Sequence, residues 1–98
     1  MIRISLPIHL QRLAGTGEEV EVTVSGPITQ ESVLDALERE YPALQGTIRE
    51  HGALTRRPFL RFFANGYDVS HERSDAPLPL EIENGSESFM IVGAIAGG

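Results

Sequence analysis

One stretch of this chain carries a helical period, and it lies between segments that alternate like β-strands. Val33, Leu34, Leu37 and Tyr41 recur at three- and four-residue spacings and form one apolar stripe. Asp35, Glu38, Arg39 and Glu40 are expected on the opposite side. Thr29 is the expected N-cap, and the acidic Glu31 suits the positive end of the helix dipole. Pro42 stops the helix, because it disfavours helical geometry at Tyr41 and cannot continue the turn. A lone amphipathic helix must bury its stripe against another element, and the flanking segments offer a sheet.

Upstream, Ile2, Ile4 and Leu6 alternate with Arg3 and Ser5, while Val20, Val22 and Val24 alternate with Glu21 and Thr23. Period-two patterning of this kind marks half-buried strands. Ile8, Leu10 and Leu13 lead into Gly15 and Gly17, so the connection is expected to be a glycine-containing loop that closes a hairpin. Downstream of the helix, Leu44, Ile48 and Leu54 are expected to line a short helix or turn. Residues 59–64 form the next strand, closed by the hairpin signal Asn65-Gly66, with a short return strand from Tyr67 to Val69. Residues 70–79 are loop-like, and Leu78, Leu80 and Ile82 are expected to pin this loop to the core. Asn84-Gly85-Ser86 is a turn before a final strand over residues 89–92.

An α+β fold follows. A mixed sheet of four to five strands curls around one main helix, with the first and last strands adjacent and parallel. This is the β-grasp, or ubiquitin-like, architecture.

With 98 residues the chain is sized for one domain, residues 1–92, followed by a tail over residues 93–98. There is no cysteine, which removes disulfides, thiolate metal sites and cysteine nucleophiles. A cytoplasmic location is the default expectation, with no signal-peptide pattern and no apolar run near the roughly 20 residues of a membrane span. The net charge of -6 disfavours nucleic acid and anionic membrane as partners. His9, His51 and His71 lack metal-ligand spacing, so no metal is expected. Arg56, Arg57, Arg61 and Arg73 read first as solvated charge and second as a docking patch. Glu18, Glu19 and Glu21 read as a solvated edge that discourages strand pairing.

The tail, Gly93-Ala94-Ile95-Ala96-Gly97-Gly98, has no charged or functional side chain. Chemistry there must use the Gly98 carboxylate. Two terminal glycines arise by accident in roughly one chain in two hundred. Gly97 and Gly98 leave the terminal carbonyl unhindered, Ala94 and Ala96 keep the tail slim enough for a narrow partner channel, and Ile95 supplies one apolar grip.

The sequence resembles the MoaD/ThiS family of sulfur carriers over most of its length. The resemblance rests on the helix from Ser32 to Tyr41-Pro42, on Phe62-Phe63-Ala64-Asn65-Gly66-Tyr67-Asp68-Val69, and on the closing strand with its Gly97-Gly98 end. Among the family's members it looks most like those that work with cysteine synthase, with MoaD proper close behind. Two positions depart from the family pattern: Gly93 stands where proline is usual, so the tail's exit is expected to be looser, and Ser86-Glu87 replaces Gly-Asp. The resemblance implies a protein co-substrate rather than an enzyme. An E1-like adenylating enzyme would activate Gly98 with ATP, a sulfur donor would convert it to a thiocarboxylate, and a sulfur-accepting synthase would receive the sulfur. No cofactor would be bound permanently, and the free carrier would be a monomer. Molybdopterin, thiamine and cysteine pathways all remain open. So does a ubiquitin-like binding or conjugation module that uses the same end.

Strand alternation adds one candidate surface. If Leu60, Phe62 and Ala64 face the helix, Arg61 and Phe63 face outward, and Met90 and Val92 join them if Phe89 and Ile91 face in. This patch of Phe63, Met90, Val92 and Arg61 beside the tail is the expected docking site for the E1-like enzyme, unless a loop covers it.

Overall fold

The computed structural model of the chain describes residues 1–93. Its elements are β1 (Ile2–Ser5), α1 (Ile8–Ala14), β2 (Glu19–Val22), α2 (Gln30–Glu40), β3 (Leu60–Ala64), β4 (Tyr67–Asp68), α3 (Leu80–Glu83) and β5 (Phe89–Gly93), with a 3-10 turn over Pro42–Leu44. Among the described residues the strands form one mixed sheet in the order β2-β1-β5-β3-β4. β1 and β5 are parallel neighbours, with Ile4 opposite Phe89, and the other three pairings are antiparallel.

The parallel pair requires a crossover, and α2 lies within it, packed on one sheet face. Val33, Leu34, Ala36 and Leu37 on the helix are buried together with Ile2, Ile4, Val20, Val22, Leu60, Phe62, Phe89 and Ile91 from the strands. The Phe62 and Phe89 rings meet at the centre, with centroids 5.5 Å apart in a tilted arrangement. α2 starts at Thr29, whose hydroxyl accepts from the Ser32 backbone N–H while the Ser32 hydroxyl accepts from the Thr29 N–H. This reciprocal cap satisfies two of the donors that a helix start leaves open. Asn65 and Gly66 both have positive φ, 50° and 84°, as the tight hairpin turn between β3 and β4 requires.

Four local expectations are corrected. The link between β1 and β2 contains helix α1, which buries Leu10 and ends on Gly15 in the left-handed conformation. Leu54 is 48% exposed at a φ of 57°, so it does not join Leu44 and Ile48 in the core. Leu80 is 64% exposed at the start of α3, leaving Ile82, with partly buried Leu78, to anchor that segment. Glu38 is not on a solvated helix face: it is buried against Arg49, its Oε2 accepting from Nε at 2.9 Å. In addition, β5 runs one residue past Val92, and Gly93 pairs with Leu60.

Candidate functional site

β5 is the third of the five strands, held on one side by β1 and on the other by β3. The chain beyond Gly93 therefore continues from the middle of the sheet. The expected reactive end, Gly97 and Gly98, and the slim segment Ala94, Ile95 and Ala96 lie outside the described residues.

The alternation expected along β3 and β5 is present. Leu60, Phe62, Ala64, Phe89 and Ile91 are buried, while Arg61, Phe63 and Val92 are half-buried and Met90 is 43% exposed. The register places Phe63 opposite Met90 and Arg61 opposite Val92, so the four candidate residues form two adjacent cross-strand pairs on the helix-free face. Met90 also lies opposite Ser5 of β1. An apolar centre of Phe63, Met90 and Val92 is thus bordered by polar groups on both sides.

Those borders are ion pairs. On one side the Arg3 guanidinium forks onto Glu19, with Nε and Nη2 donating to Oε1 and Oε2 at 2.8 and 3.0 Å, and Nη1 donates to the Gly85 carbonyl. On the other, Arg61 Nη1 lies 3.3 Å from Asp68 Oδ2. The hydrogen bond from Arg3 holds the Glu19 carboxyl below its ordinary pKa. Ser70, through its hydroxyl and then its backbone N–H, does the same for Asp68, and the Arg61 charge adds to it.

Both carboxyls have depressed folded-state values, so their contribution to stability is present above the unfolded carboxylate range. It is lost as pH falls through the folded values. Acid titration should therefore weaken the fold mainly below a pH of about 4, and carboxyl NMR should show Glu19 and Asp68 each titrating below the ordinary value for its residue type. A Glu19→Gln/Asp68→Asn protein with an unchanged acid unfolding curve would contradict this.

Two concave regions lie away from the patch. A groove of about 310 Å³ lined by His9, Glu50, Arg57, Phe59 and Leu60 adjoins the end of β5. His9 reaches the strand itself: a Cβ built on Gly93 would lie 3.6 Å from its Cε1. Phe59, in this groove, is 65% exposed. The sequence reasoning missed His9 and Phe59 as neighbours of the tail's exit, although Phe59 shares the outward parity of Arg61 and Phe63. The second region is a cleft of about 510 Å³ between the start of α2 and residues 49–56.

The four arginines grouped from sequence have separate partners. Arg57 lies 4.0 Å from Glu50, Arg61 pairs with Asp68, Arg73 pairs with Asp75, and Arg56 donates to backbone carbonyls. Among the described residues no group of three or more histidines and carboxylates could hold a metal ion, and no helix is long and apolar enough to cross a membrane.

A mixed sheet whose first and last strands are parallel neighbours at its middle, with one main helix packed on one face, defines a β-grasp, ubiquitin-like fold. Solved structures agree with that class over essentially the whole chain. The structure is similar to a chain of the Amycolatopsis orientalis BexX/CysO complex, with a TM-score of 0.76 and 20% identity over 100% of both chains. It is also similar to SAMP1 from Haloferax volcanii, with a TM-score of 0.70 and 22% identity over 98% of this chain and 97% of that one. Mycobacterium tuberculosis CysO gives a TM-score of 0.72 and 21% identity over 97% of this chain and 100% of that one. No protein-family model matches the sequence, and no curated protein does.

Proposed function

We propose that this chain is a ubiquitin-like sulfur carrier that works through the carboxylate of Gly98. The observation that carries the reading is the place of the Gly97-Gly98 end in the sequence, with three residues between it and Gly93, where the central strand of a β-grasp sheet ends. A strand held on both sides gives the short tail a rigid base, which limits the entropy lost when a partner takes it up.

The chemistry divides into two steps. The Gly98 carboxylate attacks the α-phosphorus of ATP on an E1-like enzyme, forming an acyl adenylate and releasing pyrophosphate. Hydrosulfide from a sulfur donor then attacks the acyl carbon and displaces AMP, leaving a thiocarboxylate once its proton is lost. A carboxylate is a poor electrophile, and the mixed anhydride supplies the leaving group. Neither step requires a catalytic side chain from the carrier. A similar chain occurs in the BexX/CysO complex, which supports the reading that a carrier of this shape docks on a partner protein.

Docking falls to the open sheet face. An apolar centre ringed by charged pairs has the layout of a transient interface, and aromatic residues dominate such surfaces energetically. Phe63 stands opposite Asp68, so an aspartate at position 63 would set two like charges across the strand pair. Phe63→Ser avoids that. It is expected to fold normally and to slow activation by about 30-fold, the effect of losing roughly 2 kcal/mol at a central contact. Activation at the wild-type rate would remove this face from the docking role.

The test of the function is intact-mass analysis after incubation with ATP, a sulfur source and the E1-like protein of the same cell. The expected product has one oxygen of Gly98 replaced by one sulfur. Unchanged mass together with isopeptide adducts on other proteins would assign conjugation instead.

A further inference from the structure

The larger cleft is lined by none of the four residues of the sheet-face patch, and its polar groups are arranged around an unbalanced charge. Arg49 and Arg56 are directly opposite each other in an isolated antiparallel bridge, and both line the cleft. Like charges placed opposite one another destabilise a strand pair unless each is neutralised. Arg49 is neutralised, since its Nε donates to Glu38 and its Nη2 to Asp35, both at 2.9 Å. Arg56 has no carboxylate within ion-pairing distance among the described residues.

Carbonyl oxygens instead hold Arg56 in place. Its Nε donates to the Ser70 carbonyl at 3.3 Å and its Nη1 to the Leu60 carbonyl at 2.6 Å. Those bonds fix the plane of the guanidinium, and Nη2 makes no hydrogen bond to the described residues. Gln30 lines the same cleft and is 5% exposed. Its Nε2 donates to the Val69 carbonyl at 2.5 Å, which orients the amide and leaves Oε1 as an acceptor without a partner among the described residues. No sealed side-chain oxygen lacks a partner there, so Oε1 must reach open space, and the cleft is the space that Gln30 lines. Leu34, Leu54 and Phe62 supply apolar wall.

We propose that this cleft binds a small monocarboxylate that carries one hydrogen-bond donor and a short apolar group. The carboxylate meets the fixed Arg56 guanidinium, the donor meets Gln30 Oε1, and the apolar group rests on Leu34 and Phe62. Glu31 and Glu72 also line the cleft, and their charges select against polyanions such as nucleotides. An N-acylated apolar amino acid has the required groups.

The probe is N-acetyl-leucine, titrated into the isotopically labelled full chain and followed at the Gln30 side-chain amide and the Arg56 Nε–H. Saturable shifts at both are expected, with N-acetyl-leucinamide, which lacks the carboxylate, binding at least about tenfold more weakly because the charge-assisted bonds are absent. Glu72→Gln removes an exposed, unbonded carboxylate from the rim, so it leaves the fold intact. It should tighten binding by about threefold. Arg56→Gln should abolish binding, and because Arg56 also bonds the backbone, that variant is read together with Glu72→Gln. Absence of saturable shifts in the unmodified chain, or equal responses to acid and amide, overturns the proposal. ATP competing with N-acetyl-leucine would overturn the selectivity argued from Glu31 and Glu72.

Discussion

Removal of Gly98 alone is expected to abolish sulfur loading while leaving the unfolding transition of the domain unchanged. The buried core among the described residues ends at Ile91, which is 2% exposed, and Gly93 is the last described residue paired in the sheet. A chain that ends at Gly97 still has a carboxylate, but it falls short by one residue, about 3.3–3.6 Å of extended chain. Misplacement by about 1 Å can already cost on the order of 10²-fold in a positioned reaction, so a whole residue should eliminate adenylation. Gly98→Ala separates reach from bulk. It restores the length and adds only a Cβ, so partial loading is expected if the partner channel is narrow. Intact-mass analysis with ATP, a sulfur source and the activating enzyme reads both variants. A truncated chain loaded as efficiently as the full one would mean that Gly98 is not the acceptor.

Much of the scaffold that carries this end is legible in residue patterns, because the informative contacts are local. The stripe Val33, Leu34, Leu37 lies within α2, and Thr29 caps through a residue three positions away. Parity along β3 and β5 is equally local, which is why Phe63, Met90 and Val92 could be placed on one face before their register was known. Helix α1 was hidden by competing periods. Ile4, Leu6, Ile8 and Leu10 alternate like a strand, yet Leu6, Leu10 and Ala14 also repeat every four residues. Pro7 before the helix and the left-handed Gly15 after it are the signals that resolve the conflict.

Other features depend on partners distant in sequence. Leu80 looks like an anchor by composition, but Ile82 fills the available core site. Glu38 fits a solvated helix face by type and spacing, and only the placement of Arg49, eleven residues on, gives it a reason to be buried. The cleft beside Arg56 was equally illegible, because it depends on which carbonyls hold a guanidinium and which acceptor goes unpaired.

The burial of Glu38 leads to the second large effect. Arg49, with a side chain 5% exposed, joins Glu38 and Asp35 of α2 to the segment that follows the 3-10 turn. That segment closes on itself through Glu50 N–H to the Thr55 carbonyl at 2.8 Å and Arg57 N–H to the Ile48 carbonyl at 2.9 Å. Ile48, adjacent to Arg49, is fully buried. Desolvation opposes the charge on Arg49, but the hydrogen bonds it donates to Glu38 and Asp35 outweigh it and raise the guanidinium pKa above its ordinary value. The pair with Glu38 is therefore one whose loss on one side strands a buried charge. Arg49→Met should destabilise the domain by about 3–5 kcal/mol, the usual result of removing one partner from a buried ion pair. A domain of this size has only about 5–15 kcal/mol in total, so urea unfolding should shift to much lower concentration. The double variant Glu38→Leu/Arg49→Met removes both charges at once and should recover most of the loss, since an apolar pair of similar volume often replaces a buried ion pair at little cost. Equal stability of the single variant and the unmodified chain would show that Glu38 reaches water when unpaired. A double variant no better than the single one would show that Arg49 acts through packing and its bond to Asp35, rather than by neutralising Glu38.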